Sequence, residues 1–460
     1  MSTKSKVLVL PIDPTTQPSS ASLVDPVELW NTALTGSGPA KVGTTRIFFA
    51  TPSTEQGRFG ATAVVSLGEG FNKKTEYAKR ELVRKAVGSS VKQIKELGDG
   101  EKQVIVDAST DAHAAAVAAH LAKYKFTLKT SPPSPYKPGD ETTVQRVLSF
   151  QPLQDSQEWE TGVIYAEAQN FARTLMELPA NLLTPTTFSE RVKAEFANIP
   201  NTQIFVHDEE WAAEKGMRTF LSVTKGTSEP AKFLEIEDRP IAFVGKGITF
   251  DSGGISLKPP AGMKLMRGDM GGAAAVVSAA LAIAKLRLPV NLVVVTPLCE
   301  NLPGPSANKP GDIIYAMNGK SVEIDNTDAE GRLILSDALY YTSTTYKPHT
   351  LIDVATLTGA MDVALGEIYS GVFSTSDSLW QELHAAGKPN YGPQIHSSNA
   401  DLCNTGGRPA GSCTAALFLK AFMFTFPFQA TRPTPYLEKG MTGRPVRALA
   451  EWVKRLGGRE

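Results

Sequence analysis

The sequence predicts an α/β protein of two domains, the second built on a mainly parallel central sheet flanked by helices. Three observations carry that expectation. The chain has 460 residues, too many for one ordinary core. Strand-like and helix-like stretches alternate along it. In the second half, several apolar runs lack the alternation of a half-exposed strand, which is the habit of strands buried on both faces.

Taken in order, the first third offers strand-like runs VLVLPI, RIFFATP, ATAVVSLG and QVIVDAS, with helices expected over Thr75–Leu97 and Asp111–Tyr124. KTSPPSPYKPGDE, Lys129–Glu141, reads as a proline-rich surface loop. After the strand-like VQRVLSFQPL comes a long amphipathic helix, Ser156–Leu178, stopped by Pro179. The domain boundary is placed at its start, giving domains of 1–155 and 156–460. In the second, buried strands are expected from PIAFVGKGITF, VNLVVVTPLC, SVEIDNT and HTLIDVATLTG, with helices over Gly271–Leu286 and Gly331–Thr345.

Composition excludes some classes. Lys plus Arg equals Asp plus Glu at 47 each, so no overall charge draws the chain to nucleic acid or an anionic membrane, and neither is expected as a partner. No apolar stretch of about 18 residues is evident, so no membrane span is expected. The apolar run near the N-terminus is short and broken by Pro11, unlike a signal peptide. Cys299, Cys403 and Cys413 form no CxxC pair and read as reduced thiols in a cytoplasmic protein.

The chemistry gathers at strand ends, where open parallel sheets bind ligands. Val244–Gly254 carries Lys246 and Asp251, Met263–Asp269 carries Asp269, and Ile324–Arg332 carries Asp328 and Glu330. Four carboxylates converging on one spot repel unless cations neutralise them. Divalent ions roughly 3.5–4 Å apart are the usual solution. Taken singly, each acid beside glycine is more often a turn former or helix cap; Asp325 is read that way, and Asp328 can cap the following helix. Lys246 resists the bland reading, because a lysine inside an apolar strand needs a partner or an altered protonation state. There is no GxxxxGK[ST] loop, no HExxH helix and no GxSxG elbow. The six histidines are scattered and read as surface or core residues. A metal or phosphate site in an α/β domain is what the residues alone support, with acidic residues standing where phosphate would need positive charge.

Asn326-Thr-Asp-Ala-Glu-Gly-Arg-Leu333 resembles the signature octapeptide of the cytosolic leucine aminopeptidases, peptidase family M17. VGKGITFDSGGISLK, MRGDMGGAAAV, ANKPGD and ATLTGAM match the family pattern in order and spacing. The resemblance implies a macro-domain-like N-terminal domain that helps assembly and a C-terminal metallopeptidase domain. It implies two divalent metal ions, zinc expected, with manganese, magnesium or cobalt able to substitute. Asp251 and Glu330 would bridge them, Asp328 completing the exchangeable site, and Lys246 with Asp269 the tighter one. A bridging water would attack, Lys258 would hold the scissile carbonyl oxygen, and Arg332 would anchor a bicarbonate that shuttles the proton. Met266, Asn326, Thr356, Leu357 and Gly359 are the implied substrate-binding residues. Short peptides with N-terminal leucine would be the substrates, and a homohexamer the assembly.

The sequence departs from the family pattern around 386–435. The usual Trp-Arg-Met-Pro segment before Ile395 is absent. Beyond GGRPAGSCTAALFLKAF, the strand resembling Trp-Ala-His-Leu-Asp-Ile-Ala-Gly is replaced by MFTFPFQATRPTP, whose Pro427, Pro433 and Pro435 oppose a central strand. Losing an interior strand costs about 1–3 kcal/mol per unsatisfied group. Three explanations are open: a mis-spliced reading, a diverged paralogue with altered specificity, or an inactive scaffold subunit. All five implied ligands, Lys258 and Arg332 lie upstream of both departures.

Overall fold

The computed structural model describes residues 5–15, 26–32, 40–49, 53–54, 57–97, 100–129, 135–141, 148–237, 241–365, 370–387 and 444–457. The departures expected between 388 and 435, with Cys403, Cys413 and His396, lie outside the described residues. The chain divides into two units, the first from Met1 to Asn170 and the second taking up from Phe171.

The first unit holds a five-stranded sheet in the order β2-β3-β1-β4-β5, from β1 (Ser5–Ile12), β2 (Thr45–Phe49), β3 (Ala61–Ser66), β4 (Lys102–Val106) and β5 (Leu148–Pro152). All neighbours are parallel except β2 with β3. Helices α1 (Glu76–Lys95) and α2 (Ala112–Lys123) follow β3 and β4. Each starts where the sequence supplies a cap: Thr75 accepts from the amide of Ala78 and Asp111 from that of Ala114. Of the expected proline-rich loop, residues 135–140 are exposed while Glu141 is buried. The long helix, α3, spans Gln157–Glu177, and the division between the two compact units falls inside it.

The second unit has a mainly parallel sheet with an antiparallel flank. Its sheet runs β13-β8-β10-β7-β6, from β6 (Gln203–His207), β7 (Lys232–Glu237), β8 (Ile241–Gly245), β10 (Leu292–Asn301) and β13 (Thr350–Val354), with β9 (Gly247–Asp251) also pairing β10. β8, β9, β10 and β13 are parallel; on the other flank β7 pairs antiparallel with both β10 and β6, so β7 alone of these strands is reversed. Those two were missed because their polar alternation (QIFVH, KFLEIE) lacks an uninterrupted apolar run. β10 matches expectation, buried along all ten residues.

Other expectations are corrected. SVEIDNT is no interior strand: β12 (Ser321–Glu323) pairs only with β11 (Ile313–Tyr315) in a surface hairpin, because Val322 alone there is apolar and faces inward. β13 ends the sheet among the described residues and is partly exposed. α4 (Gly271–Lys285) belongs to Met263–Lys285, a helical stretch long and apolar enough to cross a membrane, contrary to the expectation that no such stretch exists. Of its 18-residue window, 89% is buried inside the protein, so its apolarity serves the core. A last helix, α6 (Arg444–Gly457), was not foreseen; it buries Val446, Leu449, Trp452 and Val453, with Trp452 6.2 Å from the Phe243 ring on β8.

Candidate metal centre

The position of Lys246 explains how a charged side chain tolerates a buried strand. It sits at the break between β8 and β9, both of which pair with β10. Its amide donates to the carbonyl of Val354 (3.0 Å), and its carbonyl accepts from the amide of Ala273 (2.8 Å) in the first turn of α4. One of that helix's orphan donors is thereby satisfied. The side chain then runs to the carboxyl end of the sheet beneath α5 (Glu330–Thr345). Gly331 leaves it room, because a Cβ at that position would lie 2.5 Å from Lys246 Cε and 2.9 Å from its Nζ and would push the end of the lysine aside.

Around Lys246 Nζ stand Asp269 Oδ1 and Oδ2 (2.8 and 2.7 Å), Glu330 Oε1 (2.9 Å) and the carbonyl of Thr356 (3.0 Å). Burial acts to lower the Lys246 pKa, but the two carboxylates outweigh it and hold the amine above its ordinary value. Asp269 is pushed up to about 7, chiefly by burial, with Lys246 opposing and Glu330 and Asp251 adding repulsion. Burial likewise raises Glu330. Both acids stand at helix beginnings, Glu330 in the first turn of α5 and Asp269 two residues ahead of α4, where the helix field favours negative charge.

The second half of the cluster is more open. Lys258 Nζ lies 2.7 Å from Asp251 Oδ2 and 2.5 Å from Asp328 Oδ1. Burial again opposes the charge, and the two carboxylates hold the amine above its usual range. Asp251 and Asp328 arrive from different loops. Gly253, at φ 90°, turns the first so tightly that a Cβ would meet the carbonyl of Ser256 at 2.4 Å and Asp328 Oδ1 at 2.9 Å.

The donor set fits divalent metal. Ligand atoms of Asp251, Asp328 and Glu330 lie within 4.8 Å of one another. Buried Glu330 Oε2 has no hydrogen-bond partner among the described residues, a costly state that a cation would relieve. Lys246 and Asp269 supply nitrogen and oxygen on the other side of Glu330. A lysine nitrogen ligates only when neutral, so metal binding at Lys246 must release its proton.

The sequence-derived substrate residues are less concentrated. Arg332 is exposed on α5. Met266 is half-buried on the 3-10 turn Met263–Gly268, and Leu357 and Gly359 are exposed beyond β13. Asn326 is exposed and its Oδ1 accepts from the amide of Asp328 (2.8 Å), shaping the loop. Thr356 turns its hydroxyl to Asp269, donating to Oδ1 (2.8 Å) and to the carbonyl (3.1 Å). The sequence reading passed over Asn301, Ser252 and Thr327, buried polar residues between the two acidic loops. A polar residue closing a buried strand, as Asn301 closes β10, was the available signal.

Comparison with known proteins accords with this geometry. The sequence matches the cytosol aminopeptidase family, catalytic domain, over residues 170–450. The chain belongs to that family. The cytosol aminopeptidase of Dictyostelium discoideum is 45% identical over 85% of this chain and 82% of its own length. That of Homo sapiens is 42% identical over 91% of this chain and 84% of its own. A solved bottromycin maturation enzyme, BotP, in complex with manganese, superposes with a TM-score of 0.72 at 27% identity, covering 98% of this chain and 99% of that one. Cytosol aminopeptidases are dinuclear metalloenzymes acting on peptides, and this chain is a metal-dependent exopeptidase of that family.

Proposed function

We propose that the chain releases N-terminal residues, leucine preferred, from short peptides, using two divalent ions held by Lys246, Asp251, Asp269, Asp328 and Glu330. The observation that carries this reading is buried Glu330, whose Oε1 meets Lys246 and whose Oε2 has no hydrogen-bond partner among the described residues. Lys246 and Asp269 would hold the tighter ion and Asp328 the exchangeable one, with Asp251 and Glu330 serving both. Zinc is the expected metal, with manganese, magnesium or cobalt as substitutes. Manganese draws support from BotP, whose structure contains it.

When bound, the ions supply an activated water and polarise the scissile carbonyl. The protein's own groups do the rest. Lys258, which here pairs with Asp251 and Asp328, would turn its ammonium to the carbonyl oxygen and stabilise the charge that grows there. Arg332 would hold a bicarbonate, which would offer a carrier for the proton there. Met266, Thr356, Leu357 and Gly359 shape the pocket for the first side chain, and Asn326 keeps the Asp328 loop open to it. Residues 1–155 serve assembly into a homohexamer, 156–460 carry catalysis, and the enzyme works in the cytosol, as the names of its relatives suggest. Membership of an enzyme family favours this over the inactive-scaffold alternative.

The test is hydrolysis of leucine p-nitroanilide and Leu-Gly by the purified chain with added zinc or manganese, beside Glu330→Gln. The wild type should turn over and the variant lose roughly 1,000-fold or more, the several kcal/mol that metal catalysis supplies. A folded, metal-loaded wild type with no turnover would overturn the reading.

A further inference from the structure

We infer that Asn301 is a positioning residue for the metal centre: its side-chain amide locks the Asp251 loop to the Asn326–Glu330 loop and turns one oxygen of Asp251 to the cluster. The inference rests on the reading of that cluster as a metal site. Asn301 is the last residue of β10 and is buried, opposite Asp251 in the parallel register. Its Nδ2 donates to Asp251 Oδ1 (2.9 Å) and to the carbonyl of Thr327 (3.0 Å). Both partners are acceptors only, so a reversed amide would set oxygen against two oxygens; the amine must face them.

The consequence for Asp251 is specific. Oδ1 is taken by Asn301 and by the amide of Gly253 (2.9 Å). Oδ2 is the oxygen turned toward the cluster, where Lys258 now meets it. On the other side, the Thr327 carbonyl fixed by Asn301 immediately precedes Asp328, and Thr327 ties back to the first loop. Its hydroxyl donates to the carbonyl of Gly253 (2.6 Å) and accepts from the amide of Ser256 (2.8 Å), while its own amide donates to Ser256 Oγ (3.2 Å). Asn301 is held in turn through its carbonyl, which accepts from the amide (3.0 Å) and hydroxyl (2.8 Å) of Ser252. Gly254, at φ 65°, lets this happen, because a Cβ there would lie 2.9 Å from Asn301 Oδ1. The Asn301 amide thus joins the bonds of Thr327 to Gly253 and Ser256 in holding together the two segments that supply Asp251, Asp328 and Glu330, and among these bonds it is the one that reaches the Asp251 carboxylate itself.

A plain structural asparagine would do no more than satisfy a buried carbonyl, and its removal would lower stability alone. The experiment separates the two. In the full chain, Asn301→Ala and Asn301→Leu, the second keeping the side-chain bulk without a donor, are compared with wild type and Ser252→Ala. Affinity for zinc is measured by competition with a chromogenic chelator, and melting temperature with and without zinc. Both Asn301 variants should bind zinc about 10- to 100-fold more weakly, as removal of an orienting partner does elsewhere, and the zinc-induced rise in Tm should shrink. Ser252→Ala, which keeps the amide donor, should stay within about threefold of wild-type affinity, between those limits and no effect. Zinc affinity unchanged in the Asn301 variants, with only the metal-free Tm lowered, would overturn the assignment. So would failure of both variants to fold while Ser252→Ala folds and binds, since Asn301 would then serve folding. Wild type that takes up fewer than two ions would count against the metal-site reading instead.

Discussion

The two halves of the cluster use the same chemistry, lysine against paired carboxylates, in different surroundings. Lys246, Asp269 and Glu330 form the closed half, their side chains 2–8% exposed. Lys258 and Asp328 form the open half, at 21% and 32%, with Asp251 buried beside them. In the closed half each charge depends on its neighbours, since water is excluded; in the open half water screens the pair. On the proposed function, the closed half would be the one to keep its ion and the open half the one to exchange it. Lys246 is fixed by strand, helix and loop together, whereas Lys258 sits on a loop from which it can swing.

That comparison predicts unequal responses to losing a lysine. Lys246→Met should destabilise the metal-free protein by about 3–5 kcal/mol, because it leaves buried carboxylates uncompensated. Lys258→Met should cost about 1 kcal/mol or less in the same urea titration. Equal losses would erase the distinction between the halves. Lys258→Met should nevertheless lower kcat, since its proposed work is on the substrate.

The closed half should also respond more to pH. Asp269 has a folded pKa raised to about 7 from an ordinary 3.8, so without metal the folded state binds its proton more tightly than the unfolded chain. Its contribution to stability is then full below pH 4 and is lost as pH rises through 7. Metal binding must expel that proton, so zinc affinity should climb across the same interval. Chelator competition from pH 5.5 to 8 checks this: Lys246 gives up its proton throughout, so affinity should rise about two powers of ten per pH unit below 7 and about one above it. A slope that does not change across the interval would mean that Asp269 is already ionised.

The smallest effect concerns Thr356. Thr356→Val removes the hydroxyl bond to Asp269 Oδ1, worth about 1–2 kcal/mol, and should weaken the tighter ion roughly 10-fold. Thr356→Ser should restore most of it. A change in side-chain preference at the substrate's N-terminus, with metal affinity intact, would instead return Thr356 to the pocket wall.

The amino-acid sequence by itself determined the α/β class, β8, β10 and the helices that follow the acidic loops, because long apolar runs and caps are local signals. It also put forward Lys246, Asp251, Asp269, Asp328 and Glu330, the first two because charges in and at the end of buried strands stand out against apolar neighbours, the others from acidic segments that resemble a family pattern. Antiparallel β6 and β7, with their polar alternation, and α6, whose partner Phe243 lies some 200 residues earlier, were decided by tertiary packing. So was the division of the acids into a closed and an open half, which depends on how deep each loop is buried. The place of Asn301 was decided there too: an asparagine closing a strand is unremarkable until folding sets its amide between the Asp251 carboxylate and the Thr327 carbonyl. Hydrogen bonds between loops far apart in sequence leave no pattern in either loop alone.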